Sequence, residues 1–256
     1  MNLIDAFASF EDCLCHNPEV TFWWRDDDVG VRGRRQVITN WIINHRLEKM
    51  LSLLAVHNIF SIFAVIPYSF STRGGKQISL LKKYNAYIAM HGIQHSNNSK
   101  TNIPSEFPNS EDAQKDAVVI QKYREEFAMI FQNNFLQIFV PPWNTMSERL
   151  ENILLSSGLN ISKDNSQYVE YNENNIDIDV INWNEKKLRN EEEILNDIIY
   201  LVVKGKKSIG IMGHHRVADG CAFMFFNKLF EIIAKHQIKN HTGNNNSWAA
   251  KMLHNY

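Results

Sequence analysis

Short apolar runs alternate with longer amphipathic stretches along this chain. Runs rich in β-branched and aromatic residues fall at 20–25, 61–66, 86–90, 136–140, 177–182 and 208–212. Between them, apolar residues recur at helical spacing over 45–57, 76–84, 111–133, 147–156, 191–204 and 220–236. Strand-like runs separated by helices predict an α/β fold with parallel strands. Six or seven such units suit a barrel, closed or incomplete, and the same periodicity also fits an open doubly wound sheet. The polar stretches 165–175 and 240–247 read as loops. No repeat or long linker divides the chain, so one domain over 1–256 is expected.

Polar residues cluster where the apolar runs end. The first run leads into Asp26-Asp27-Asp28, and the third into His91-Gly92-Ile93-Gln94-His95. The fourth leads into Pro141-Pro142-Trp143-Asn144, the fifth into Trp183-Asn184, and the last into Gly213-His214-His215-Arg216. In a parallel α/β protein all these strand ends lie on one face, so groups remote in sequence converge there.

Composition narrows the chemistry. With 44% apolar and 21% charged residues, the 256-residue chain can bury a large core without cross-links. A net charge of −1 gives no electrostatic case for nucleic acid or an anionic membrane as partner. The 3 cysteines, Cys13, Cys15 and Cys221, form neither a disulfide framework nor a zinc-ribbon spacing. No apolar run approaches the ~18 residues of a membrane span. The first twenty residues lack the basic and apolar regions of a signal peptide, so a cytoplasmic location is expected. Fifteen Phe, 8 Tyr and 6 Trp can fill a core or line a sugar cleft, where flat apolar faces meet pyranose rings.

Three groups carry the candidate chemistry. Three consecutive carboxylates repel one another and call for counter-charge, which Arg25 before them and Arg32, Arg34 and Arg35 after them can supply. They can serve as a metal ligand and a general base, or as a capped loop. His91 and His95, four apart, share a face if they sit on a helical turn, and both imidazoles then reach one ion. With an aspartate they make the two-His, one-carboxylate set of a catalytic metal with an open position. His214-His215 offers a general acid near neutral pH, and the nearby Gly210 and Gly213 suggest a backbone packed closely against something.

These segments, in this order over about residues 20–216, resemble the motifs of the polysaccharide deacetylases of the NodB-homology type, carbohydrate esterase family 4. The resemblance implies a distorted (β/α)7 barrel, TIM-barrel-like, with the motifs at the C-terminal strand ends. Arg25-Asp26-Asp27-Asp28-Val29 stands where that family has Thr-Phe-Asp-Asp, which implies Asp27 as base and Asp28 as metal ligand. A run of three aspartates leaves the register open by one. His91 and His95 match the metal-binding His-x-x-x-His. Pro142-Trp143 matches the third motif, but Val140 stands where the family has an arginine that pairs with the catalytic aspartate, and Arg25 is the candidate to replace it. Asn182-Trp183 keeps the fourth motif's tryptophan and loses its acid. Met212-Gly213-His214 is similar to the fifth, with His214 as general acid and His215 competing for the role.

The resemblance thus implies a divalent metal, with zinc the expected ion, and removal of an N- or O-acetyl group from an acetylated sugar or glycan precursor. Trp143, Asn144, Trp183, Arg25 and His215 are expected around the substrate. A role in surface-polysaccharide synthesis, such as O-antigen or capsule, follows by analogy. Two other readings stand beside it. One is a non-catalytic member that binds metal and glycan. The other is a metal hydrolase of another bond, such as a phosphoester, with Arg32, Arg34, Arg35 and Arg216 as the basic clamp.

Overall fold

The computed structural model describes residues 2–30, 37–72, 75–164 and 175–240. Helix α1 (Leu3–Cys15) is capped by Asn2, whose side chain accepts from the N–H of Asp5. There follow β1 (Thr21–Val29), α2 (Val37–Val56), β2 (Ser61–Val65), α3 (Pro67–Thr72), α4 (Gly75–Lys83), β3 (Tyr87–His91) and α5 (Ala113–Phe131). The second half runs β4 (Phe135–Val140), α6 (Glu148–Ser156), β5 (Asn160–Ile161), β6 (Ile178–Asp179), β7 (Ile181–Asn182), β8 (Lys187–Leu188), α7 (Glu191–Val203), β9 (Ser208–Gly213) and α8 (Gly220–Asn240).

Seven strands form one sheet in the order β5-β4-β3-β2-β1-β9-β6, and every pairing is parallel. The sheet curls into a half-barrel ringed by helices. Its two margins meet at a parallel bridge between Asp164 and Ile176, where the Ile176 N–H donates to the Lys163 carbonyl at 2.8 Å. This is the distorted (β/α)7 barrel expected from the motifs, and it settles the choice against an open sheet.

Strand β1, between β2 and β9, organises both layers. All but its first residue is buried, as a parallel strand covered on both faces requires. Its alternation sends Phe22 and Trp24 toward the helices and Trp23 toward the barrel interior. Trp24 lies edge-on to Phe226 and Phe230 of α8, each at 5.1 Å. Gly210 and Gly213 on the neighbouring β9 are the space these indoles need, since a methyl group there would overlap Trp23 and Trp24 respectively.

Several expected boundaries change. Strand β1 continues to Val29, so the three aspartates are strand residues and not a loop after it. The helix expected at 45–57 begins at Val37. The run 177–182 is two strands. Asp179 accepts a hydrogen bond from the Ile181 N–H at 2.9 Å, and this turn diverts the chain from β6 into the antiparallel β7–β8 pair. Helix α1 and the two-residue β5 were not among the expected elements. The loops expected at 165–175 and 240–247 lie, except for their outermost residues, outside the described residues.

Candidate metal centre and active site

Asp28 sits at the C-terminal end of β1 with φ 66°, a left-handed conformation unusual for a residue with a side chain. Arg216 holds that backbone. Its Nε donates to the Asp28 carbonyl at 2.7 Å and its Nη2 to the Gly30 carbonyl. Arg216 therefore acts on the chain itself and is not a free phosphate clamp. Arg32, Arg34 and Arg35 lie outside the described residues.

His91 ends β3 and is buried. Its Nδ1 donates to the carbonyl of Val140 at 3.1 Å, which fixes the tautomer and leaves Nε2 as the nitrogen that could bind a metal. His95 follows through a bend with φ 55°, so the pair meets by a reversal of the chain and not on the helical turn expected from its spacing. The Nε2 atoms of His91 and His95 lie 3.4 and 3.0 Å from Asp28 Oδ1.

One ligating atom from each of Asp28, His91 and His95 falls within 4.8 Å of the others. This set, two imidazole nitrogens and one carboxylate oxygen, fits a divalent ion, and three protein ligands are fewer than such an ion takes. The electrostatics favour a cation. Burial pushes the Asp28 carboxyl up, but the hydrogen bonds from His91 and His95 and the charge of His214 outweigh it and hold Asp28 well below the usual carboxylate range. Burial also disfavours charge on His91, yet Asp28 and the charge of Asp27 raise it above the usual imidazole value. Among the described residues this is the one such cluster.

The three aspartates have three different partners. Asp27 takes a two-pronged contact from Arg25, Nε to Oδ1 at 2.8 Å and Nη2 to Oδ2 at 2.9 Å. Arg25 is itself anchored by Ser162 Oγ at 2.7 Å and Met212 Sδ at 3.1 Å. At 1% exposure it underlies Asp27, whereas the sequence placed it at the substrate. Asp26 pairs with His215: Nδ1 lies 2.5 Å from Oδ1, and the His215 N–H donates to the same carboxylate. Both side chains of this pair are fully buried. His215, also expected around the substrate, thus has its ring enclosed and its Nδ1 committed to Asp26.

His214 is the histidine near the metal cluster. Its charge acts on both Asp28 and Asp179. Trp183, about half exposed, stands edge-on to its ring at 4.5 Å. The Trp183 Nε1–H donates to Asp179 Oδ2 at 2.7 Å. Asp179 is a residue the sequence reading missed. It is an acid beside the tryptophan and the histidine, but four positions before Trp183, not adjacent to it. Burial raises its carboxyl, only partly offset by the charge of His214 and the donors from Ile181 and Trp183.

Across the site Trp143 lies 4.4 Å from the His95 ring. Trp143 and Asn144 both have positive φ, 55° and 59°, in a single 3-10 turn. Pro142 has no N–H and that of Asn144 donates to the Pro141 carbonyl at 3.1 Å, so Trp143 supplies the turn's remaining backbone donor. Glu106 is a second residue the sequence reading missed. It is buried beneath the His91–His95 bend and accepts the N–H groups of Ile93 and Gln94.

No family model matches the sequence, and no curated protein does. Solved structures do share its fold. A putative polysaccharide deacetylase from Mycobacterium smegmatis aligns with a TM-score of 0.56 at 13% identity, over 88% of this chain and 86% of that one. A peptidoglycan N-acetylglucosamine deacetylase aligns at 0.50 and 15% identity, over 86% and 82%. A CE4 family pseudoenzyme from Bacillus anthracis aligns at 0.51 and 13%, over 86% of this chain but 61% of that one. The resemblance read from the motifs therefore holds for the fold. Since one of these neighbours is a pseudoenzyme, the shared fold does not by itself imply activity.

Proposed function

We propose that this protein is a divalent-metal hydrolase that removes an acetyl group from a sugar. One observation carries the reading: a three-residue metal cluster, Asp28, His91 and His95, stands next to a separate carboxylate, Asp27, aimed by its own arginine. A zinc ion held there would supply Lewis acidity toward a carbonyl oxygen and a water. Asp27 accepts the proton of the attacking water, whose oxygen joins the acetyl carbon. The backbone N–H of Trp143 helps to hold the oxyanion. His214 donates a proton to the leaving nitrogen or oxygen as its bond to the acetyl carbon breaks, and acetate departs. Trp143 and Trp183 flank the sugar with exposed indole faces.

The paired Asp27 and the presence of Asp179 favour a working enzyme over a non-catalytic binder, since they fill the two places where the motifs lack a residue. Arg216, engaged with backbone, weighs against phosphoester hydrolysis. The substrate proposed is an acetylated sugar or glycan precursor of a surface polysaccharide. Among the described residues no helix is long and apolar enough to cross a membrane.

Purified protein should contain about one equivalent of divalent metal and should release acetate from acetylamino sugars, seen as the loss of one acetyl mass. Asp27→Asn should lower turnover by about 10²–10⁴-fold, the range of general-base contributions. Metal-loaded protein inactive on acetylated mono-, oligo- and nucleotide-linked sugars would defeat this reading and favour the binder.

A further inference from the structure

Glu106 has no counterpart in the motifs and belongs to the irregular stretch between β3 and α5, yet it is 5% exposed. Its carboxylate faces the bend that joins the two candidate metal ligands. Oε2 accepts from the Ile93 N–H at 3.1 Å and Oε1 from the Gln94 N–H at 2.7 Å. Successive amides of one loop converge on one anion, the arrangement of a backbone nest. The loop is shaped for this contact. Gly92 has φ 58°, and a Cβ there would overlap Glu106 Oε2 and come within 2.6 Å of Pro142 Cγ. The segment carrying Glu106 is tied down separately: Asn98 Nδ2 donates to the Glu106 carbonyl at 2.8 Å, and the Asn98 N–H to the Ser105 carbonyl at 2.8 Å.

We infer that Glu106 is a positioning residue for the metal centre, a carboxylate that clamps the His91–His95 bend so that His95 is presented to the ion. The inference rests on the metal-site reading above. Strand β3 and the Val140 carbonyl hold His91, whereas His95 lies beyond the strand in a left-handed conformation. Such a conformation persists only where its surroundings enforce it. The clamp on the amides of Ile93 and Gln94, directly before His95, is the enforcing contact. Glu106 touches neither the ion nor the substrate and acts through His95.

The test is a titration of metal-free protein with Zn²⁺ against a chromophoric chelator, for wild type, His91→Ala, Glu106→Gln and Glu106→Asp. Glu106→Gln keeps the length but presents an NH₂ to one amide donor, and should weaken zinc binding about 10–100-fold, the usual effect of losing an outer partner of a ligand. Glu106→Asp keeps the acceptors and should recover part of that loss. The visible spectrum of the Co²⁺-loaded Glu106→Gln protein should differ from that of wild type, because the His95 ligand field changes. Zinc affinity within twofold of wild type together with an unchanged cobalt spectrum would overturn the inference. So would a metal-free Glu106→Gln protein that no longer melts cooperatively, since the carboxylate would then be a core-stability residue. Wild type that binds zinc no better than His91→Ala would overturn the metal site itself, a result distinct from a Glu106 failure.

Discussion

Arg25 and Asp27 are two residues apart on one strand and grip each other through two parallel hydrogen bonds of 2.8 and 2.9 Å. The pleat makes this possible, because residues i and i+2 share a face of a strand. On the reading proposed above, Arg25 takes the part of the arginine that the motif resemblance led one to expect at Val140. Arg25→Met would leave a buried carboxylate without its partner, and should cost about 3–5 kcal/mol of stability in urea unfolding. Arg25→Lys keeps the charge but loses the planar fork, so kcat should fall while KM stays near that of wild type. Full turnover in Arg25→Lys would show that the fork does not aim the base.

The barrel and the face bearing the site were legible because strand-like runs ended repeatedly in polar groups. The division of labour among Asp26, Asp27 and Asp28 was not. It depends on β1 continuing through all three, with its alternation and the φ of Asp28 sending each side chain to a different partner. His91 and His95 were legible as a pair but not as a bend, since a spacing of four cannot tell a helical turn from a chain reversal. Asp179 and Glu106 carried no signal. Asp179 reaches Trp183 across a turn, and Glu106 lies in a stretch with no periodicity. Arg25 and His215 pointed to the right neighbourhood, but their burial could not be read from their identity.

Removing the metal should give the protein a distinctive pH profile. His91 has a raised folded value, so in ion-free protein its contribution is full below 6.5 and is lost as pH rises through the folded value. Asp28 has a lowered value, so its contribution is full above 3.8 and is lost as pH falls through the folded value. In EDTA the Tm should therefore fall on both flanks of the mildly acidic range. With zinc present the alkaline flank should reverse, because the ion needs neutral imidazoles and binds more tightly as pH rises. Scanning calorimetry across pH, with and without zinc, checks this, and parallel curves would contradict the assigned ligands.

Trp183 and Asp179 offer a separable test of the acid side of the site. Trp183→Phe keeps an aromatic ring against His214 but removes the N–H donated to Asp179. Asp179→Asn removes the negative charge that faces His214. Both should lower kcat for an amide substrate, Asp179→Asn the more. Neither should change zinc content, since neither residue belongs to the metal cluster. Loss of metal in either variant would mean that this corner shapes the ligands and not the acid.

The adjacent histidines should respond in opposite ways. His214 stands beside the metal cluster, whereas His215 is wholly enclosed with Asp26, linking the turn after β9 to β1. His215→Ala leaves a buried carboxylate with one backbone donor and opens a cavity, and should cost about 3–5 kcal/mol in chemical denaturation. His214 is buried against Trp183 but has no buried ion pair among the described residues, so His214→Ala should cost less stability than His215→Ala yet lower kcat by about 10²–10⁴-fold, the span of a general-acid contribution. Small amines or imidazole added to the assay should restore part of the activity of His214→Ala and none to His215→Ala. The reverse pattern, an inactive but stable His215→Ala and an active His214→Ala, would exchange the two roles and require the β9 turn to rearrange when substrate binds.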